Sequence, residues 1–295
     1  HEGCLSLTWS YCQQRHRRAS IEALARRYLD ALGALIEHCC SPAPHLVALT
    51  PAPTDGQTPL FLVHPVGAGV SCYLDLAESL REQAPIVGLQ PLLGEVPSTI
   101  EAMATQYLEA ILSFRPRGPY RLGGWSLGGL IAFEMARQFE DRGLDVDALV
   151  IIDISPPGLA SGASEGRPEK WSVSELSGDL LHDFLAEVGL LETRLSDENL
   201  AVLERLVKAQ RKAVETYVPG AYNGSAMLFV AQLSVDGGGV APRTAGHDAW
   251  RHLIRGEILE HTIAADHFTI VRGANARLIA KYLRSTFRSP SKPSR

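Results

Sequence analysis

The chain has 295 residues, with 28 Lys and Arg against 33 Asp and Glu, for a formal net charge of −5 at pH 7. The acidic excess is small and scattered, so the composition gives no basic surface for nucleic acid or an anionic membrane, and no apolar run reaches membrane-spanning length. Apolar residues make up 45% and charged residues 21%, the balance of a globular protein with one large α/β domain and a smaller piece beside it.

Cys4, Cys12, Cys39, Cys40 and Cys72 form neither an even disulfide framework nor a paired CxxC metal site, and Cys39 and Cys40 are adjacent, which suits neither. Reduced thiols in the cytoplasm are expected, with no metal. The opening residues, His1, Glu2 and Gly3, hold no initiator Met and no signal-peptide pattern. The chain is therefore expected to be an excerpt of a longer one.

In chain order, "CLSLTWSY" alternates in polarity and predicts a strand over residues 4–11. Residues 21–36 carry apolar side chains at Ile21, Leu24, Ala25, Tyr28, Leu29, Leu32, Leu35 and Ile36, one helical face, with Ser20 placed to cap its start. Pro42, Pro44, Pro51, Pro53 and Pro59 then mark a boundary, with a linker over residues 42–58 and the main domain over 59–288. Short apolar runs alternate with amphipathic stretches from there. "PLFLVHP", "PIVGLQ", "YRLGG" and "ALVIID" read as strands, while "SCYLDLAESL", residues 99–114 and residues 127–142 read as the helices between them. This alternation predicts a mostly parallel central sheet with helices on both faces and right-handed crossovers. Across residues 155–222 the rhythm breaks into two helical stretches, 171–191 and 197–217, with no strand between them, as in an inserted lid. It resumes with the strand "AMLFVAQ", a helix near residues 248–254, a last strand in "EILEHTIAADH" and a helix over 275–287. The tail, 289–295, is expected to be disordered.

One stretch concentrates the chemistry. In "RLGGWSLGGL", Gly124, Trp125, Ser126, Leu127 and Gly128 satisfy GxSxG, with a strand before and a helix after. Glycines there let the chain reverse tightly enough to lift the Ser126 hydroxyl out of the sheet, at a helix N-terminus whose dipole favours developing negative charge. A serine hydroxyl is a poor nucleophile without a base, and the base needs an acid to orient it. Among ten histidines, His267 follows the last predicted strand and completes the order serine, acid, histidine. His247, His252 and His261 read as structural or solvated. Asp153 and Asp236 both follow strands that can reach the histidine. Asp153 is preferred because it ends its apolar run directly, at the carboxyl edge where sites form, whereas Asp236 in "VDGGG" also fits a surface turn. Two backbone amides are expected to form an oxyanion hole: Leu127, immediately after the serine, and Val66, in the loop "HPVGAG".

The blocks "LFLVHPVGAGVSCYLDLAESL", "GPYRLGGWSLGGLIAFEMARQ", "LVIIDISPPG" and "DHFTIV" occur in the order of a known family. They resemble the type I thioesterase domains that end nonribosomal peptide and polyketide synthetases. That resemblance implies an α/β-hydrolase fold with a helical lid insertion, and a catalytic triad of Ser126, Asp153 and His267. It also puts the second oxyanion donor on Val66, although Ala68 stands where the family's loop often has a second glycine. It implies acyl transfer from a phosphopantetheine thioester to serine, then release by hydrolysis or macrocyclisation, with no cofactor bound by the domain itself. Residues 1–41 are similar to the C-terminal end of condensation-type domains, particularly the epimerisation branch, but lack the HHxxxDG motif. The partners implied are an upstream peptidyl carrier domain and a condensation- or epimerisation-type domain, with no nucleic acid and no membrane. Three other readings stand beside this one: a stand-alone type II editing thioesterase, a general serine ester hydrolase, and a catalytically silent docking module.

Overall fold

A computed structural model describes residues 8–12, 14–39, 45–51, 57–67, 69–92, 97–157, 181–182, 185, 196–233 and 245–287. The chain divides into two compact units, residues 1–44 and 45–295. The first holds helix α1 (Arg18–Cys39). The strand expected over 4–11 is absent from its described part, residues 8–11, which have no regular structure; polarity alternation alone does not make a strand where no neighbour takes its hydrogen bonds. Ser20 is not the cap, because α1 begins at Arg18 and the Ser20 and Ile21 amides already donate to the Arg17 carbonyl.

The second unit is built on one sheet. Its strands are β1 (Leu46–Ala48), β2 (Leu60–Val63), β3 (Ile86–Leu89), β4 (Tyr120–Trp125), β5 (Val146–Ile152), β6 (Ala226–Ala231) and β7 (Ile258–Ile263). They lie in the order β1-β3-β2-β4-β5-β6-β7. All pairings are parallel except that of β1, which runs antiparallel to β3 with Leu46 opposite Leu89. Part of the segment expected as a linker is therefore an edge strand. With three residues it is too short to show a period, and its place is set by backbone bonds to β3, such as the Leu49 amide to the Ile86 carbonyl at 3.0 Å.

The helices of this unit are α2 (Leu74–Leu80), α3 (Ile100–Phe114), α4 (Leu127–Asp141), α5 (Asp197–Thr216), α6 (Ala245–Arg251) and α7 (Gly273–Phe287). Thr99 caps α3 by accepting from the Ala102 amide, and Ser196 caps α5 from Asn199, each satisfying a donor that the first turn leaves free. Parallel strands sandwiched by helices bury both faces, so β2, β3 and β6 are continuously apolar, whereas β7 at the edge is mostly unburied and carries Glu260 and His261. Leu60, Leu62, Val150, Ile152, Met227 and Phe229 share one core with Leu76 and Leu80 of α2 and Ile279 and Leu283 of α7. The alternate side chains, including Phe61 and Ile151, are buried too; Phe61 meets Phe114 of α3 edge-on at 6.3 Å.

Helix α5 lies between β5 and β6 in the chain, matching the second helix expected in the insertion; most of residues 171–191, and the tail at 289–295, lie outside the described residues. Helix α6 begins earlier than expected and ends at Arg251, where Ile254 turns into a bridge with Tyr222. No helix among the described residues is long and apolar enough to cross a membrane.

Candidate active site

Ser126 is the single residue between β4 and α4. Its backbone is at φ 56°, ψ −129° and its side chain does not cap the helix, so the hydroxyl is not committed to the backbone. The Ser126 amide donates to the Ile152 carbonyl of β5 at 2.9 Å, which ties the turn to the sheet. Among the described residues, the non-glycines at positive φ are Ser126 and Asp153, the latter at 48°. Such a conformation costs on the order of 1–3 kcal/mol and persists where the surroundings over-determine it, typically at functional sites. The surroundings here are close. A Cβ on Gly124 would run into the Gly128 carbonyl, and one on Gly128 into the carbonyls of Val63 and His64, so strand and helix pack at a distance that only glycine allows.

Asp153 follows β5, and its amide still donates to the Phe229 carbonyl of β6 at 2.8 Å. The left-handed turn brings its carboxylate over the sheet edge. Oδ1 accepts from the Ala231 amide at 2.9 Å and Oδ2 lies 2.6 Å from His267 Nδ1. A carboxylate only accepts, so Nδ1 carries the proton and Nε2 presents its lone pair. That lone pair faces Ser126 Oγ at 3.2 Å. The Asp153 side chain is 3% exposed and His267 17%, so the pair is shielded while the imidazole keeps an open edge.

The loop after β7 holds His267 by its own hydrogen bonds. Asp266 Oδ1 accepts from the Phe268 and Thr269 amides at 2.8 and 2.9 Å, so this neighbouring carboxylate is occupied away from the imidazole. The rings of Trp125 and Phe268 each lie 5.2 Å from that of His267 and limit its rotation.

The structure thus brings Ser126, Asp153 and His267 together from three chain regions. Leu127 is the first residue of α4 and is buried; Val66 lies in the loop after β2 and is partly buried. Asp236 and the side chain of His247 lie outside what is described. His252 is exposed, and His261 stacks on Tyr282 at 3.8 Å, with Phe229 at 5.3 Å. Among the described residues, no group of three His, Cys, Asp or Glu side chains is arranged to hold a metal ion.

Three supporting side chains escape the sequence analysis. The fully buried Tyr73 hydroxyl donates to the Val63 carbonyl at 2.6 Å and accepts from the Trp125 amide at 2.8 Å, which joins the end of β2 to the residue before the serine. His64, the first residue beyond β2, donates from Nδ1 to the Pro65 carbonyl and accepts at Nε2 from the Tyr107 hydroxyl, at 2.6 and 2.8 Å. Burial lowers its pKa to about 4, so at neutral pH it is an uncharged brace. Gln210 of α5 bonds both backbone groups of Gly67.

Residues 58–286 match the family described as thioesterase domain. A dimodular nonribosomal peptide synthase of Bacillus subtilis (strain 168) is 29% identical over 261 residues, covering 81% of this chain and 11% of the relative's length. The NocB thioesterase domain, solved in covalent complex with a fluorophosphonate nocardicin G analogue, aligns with a TM-score of 0.60 and 27% identity over 83% of this chain and all of that one. The Vlm2 thioesterase domain, carrying 2,3-diaminopropionic acid bound with a dodecadepsipeptide, aligns with a TM-score of 0.63 and 25% identity over 83% of this chain and 98% of that one.

Proposed function

The chain belongs to the thioesterase domain family, and from that premise we propose that it accepts an acyl or peptidyl chain from a carrier-borne phosphopantetheine thioester onto Ser126 and then releases it. His267 Nε2 takes the Ser126 proton as Oγ attacks the thioester carbon. The negative charge on the carbonyl oxygen is met by the Val66 and Leu127 amides. The carbon–sulfur bond breaks, the thiolate leaves with the proton held by His267, and an acyl-serine remains. Water, or a hydroxyl or amine within the bound chain, then gives its proton to His267 and attacks the ester, which restores Ser126. Asp153 keeps the imidazole in the tautomer that can accept and holds its ring toward Ser126.

The observation that carries this reading is the continuous hydrogen-bonded run Asp153–His267–Ser126 next to a strained serine at the head of a helix. The relatives fit it. One is a synthase of much greater length, and the Vlm2 domain is solved with a bound dodecadepsipeptide. We assign the helical insertion around residues 155–222 as a lid over the acyl chain, residues 1–41 as the end of a condensation- or epimerisation-type domain, the stretch between that piece and β1 as the linker, and the cytoplasm as the working compartment. The partners in this reading are those two upstream domains, the carrier and the condensation-type domain.

The test is turnover of a peptidyl N-acetylcysteamine thioester followed by mass spectrometry of the product. Wild type should give free acid or a ring lighter by one water. Ser126→Ala should lower kcat on the order of 10⁴-fold or more, with the fold intact by circular dichroism. Retained turnover in Ser126→Ala refutes the assignment.

A further inference from the structure

The buried face of α5 is apolar at Leu200, Leu203, Leu206, Val207 and Ala213, yet it includes Gln210. Gln210 is 1% exposed, and a buried amide is costly unless its donor and acceptor are both met. They are met by one residue far away in the chain. Gln210 Oε1 accepts from the Gly67 amide at 2.9 Å, and Nε2 donates to the Gly67 carbonyl at 2.8 Å. Gly67 sits at φ 97°, in the left-handed region that glycine enters without penalty and can therefore also leave easily. Two hydrogen bonds to one glycine fix the peptide planes on both sides of it, because each plane is rigid. The Val66 amide belongs to the next plane back.

We propose that Gln210 is a positioning residue for acyl transfer: it ties α5 to the loop after β2, so the second oxyanion donor is set only while α5 is seated. This rests on the assignment of Val66 in the preceding section. The physical consequence concerns the transition state, because a donor that is loosely held must be reorganised when charge develops on the carbonyl oxygen. Ground-state binding of the acyl chain makes no such demand. The insertion would then act on the chemistry as well as on the shape of the chamber.

The test uses Gln210→Leu and Gln210→Met, both of which keep apolar bulk and remove the amide. Active sites are counted by fluorophosphonate, whose phosphorus bonds to Ser126 Oγ as fluoride leaves. Expected for each variant is a kcat per labelled serine about ten- to a hundredfold lower, the range for a misplaced rather than deleted donor. KM should stay within about twofold, and the rate of fluorophosphonate labelling should fall in proportion to kcat. A purely structural role would lower the melting temperature and the number of labelled sites but leave kcat per site unchanged, and that result overturns the proposal. A second measurement needs no variant: amide hydrogen exchange at residue 67 in the wild-type chain should be protected and should open together with α5. Unprotected exchange there also overturns the proposal. If wild type fails to label at Ser126, the reading in the preceding section fails instead.

Discussion

Asp153 uses both carboxylate oxygens, one on the Ala231 amide and one on His267 Nδ1. An asparagine cannot satisfy both, because its amide group would turn a donor toward one of two donors. Asp153→Asn should therefore leave His267 in the wrong tautomer and lower kcat on the order of 10³–10⁴-fold, while Asp236→Asn stays within about twofold. Steady-state kinetics on the same thioester decide it, and a severe loss on Asp236 instead would reassign the acid. Ser126, Asp153 and His267 were legible because each follows a predicted strand, the serine within a GxSxG turn. Tyr73 and Gln210 were not, since they accept from main-chain amides 52 and 143 residues away, and a backbone group leaves no trace in a sequence. His64 was visible only as part of "VHP", where nothing distinguishes a buried brace from a loop residue.

At the scale of elements, long apolar or periodic segments gave strands and helices close to those observed, with shifts at their ends where local backbone bonds decide. The segments that failed had no tertiary context to read: β1 exists because β3 offers an edge, and residues 8–11 remain irregular. The junctions between elements are held by single side chains. Glu134 of α4 accepts from Arg137 at 2.6 Å, from the Tyr217 hydroxyl at 2.8 Å and from Gln138 at 3.1 Å, and so pins the chain just after α5. Arg121 of β4 pairs with Asp147 of β5 at 2.6 Å and lies 4.1 Å over the Phe287 ring at the end of α7. Tyr73 is the junction that bears on the serine. Tyr73→Phe should leave the buried Trp125 amide without its acceptor at a cost of about 1–3 kcal/mol. For a domain of this size that lowers Tm by several degrees, and kcat should fall with it as the elbow loosens. Calorimetry together with kinetics checks this; an unchanged Tm would mean that the hydroxyl does not clamp β2 to β4.

For the whole molecule, the parallel sheet is what makes chemistry from distant residues possible. Ser126 and Asp153 directly follow strands β4 and β5, and the loop leaving β7 supplies His267, so the carboxyl edge collects residues 114 and 141 positions apart. Brought to that edge, the three side chains form one proton path, and the remainder of the fold keeps two strained turns from relaxing. Peptide mapping after exposure to a fluorophosphonate tests this most directly. Wild type should carry one adduct, on Ser126, and His267→Ala should label at least a hundredfold more slowly. An adduct on another residue, or unchanged labelling of Ser126 without the imidazole, would contradict the account.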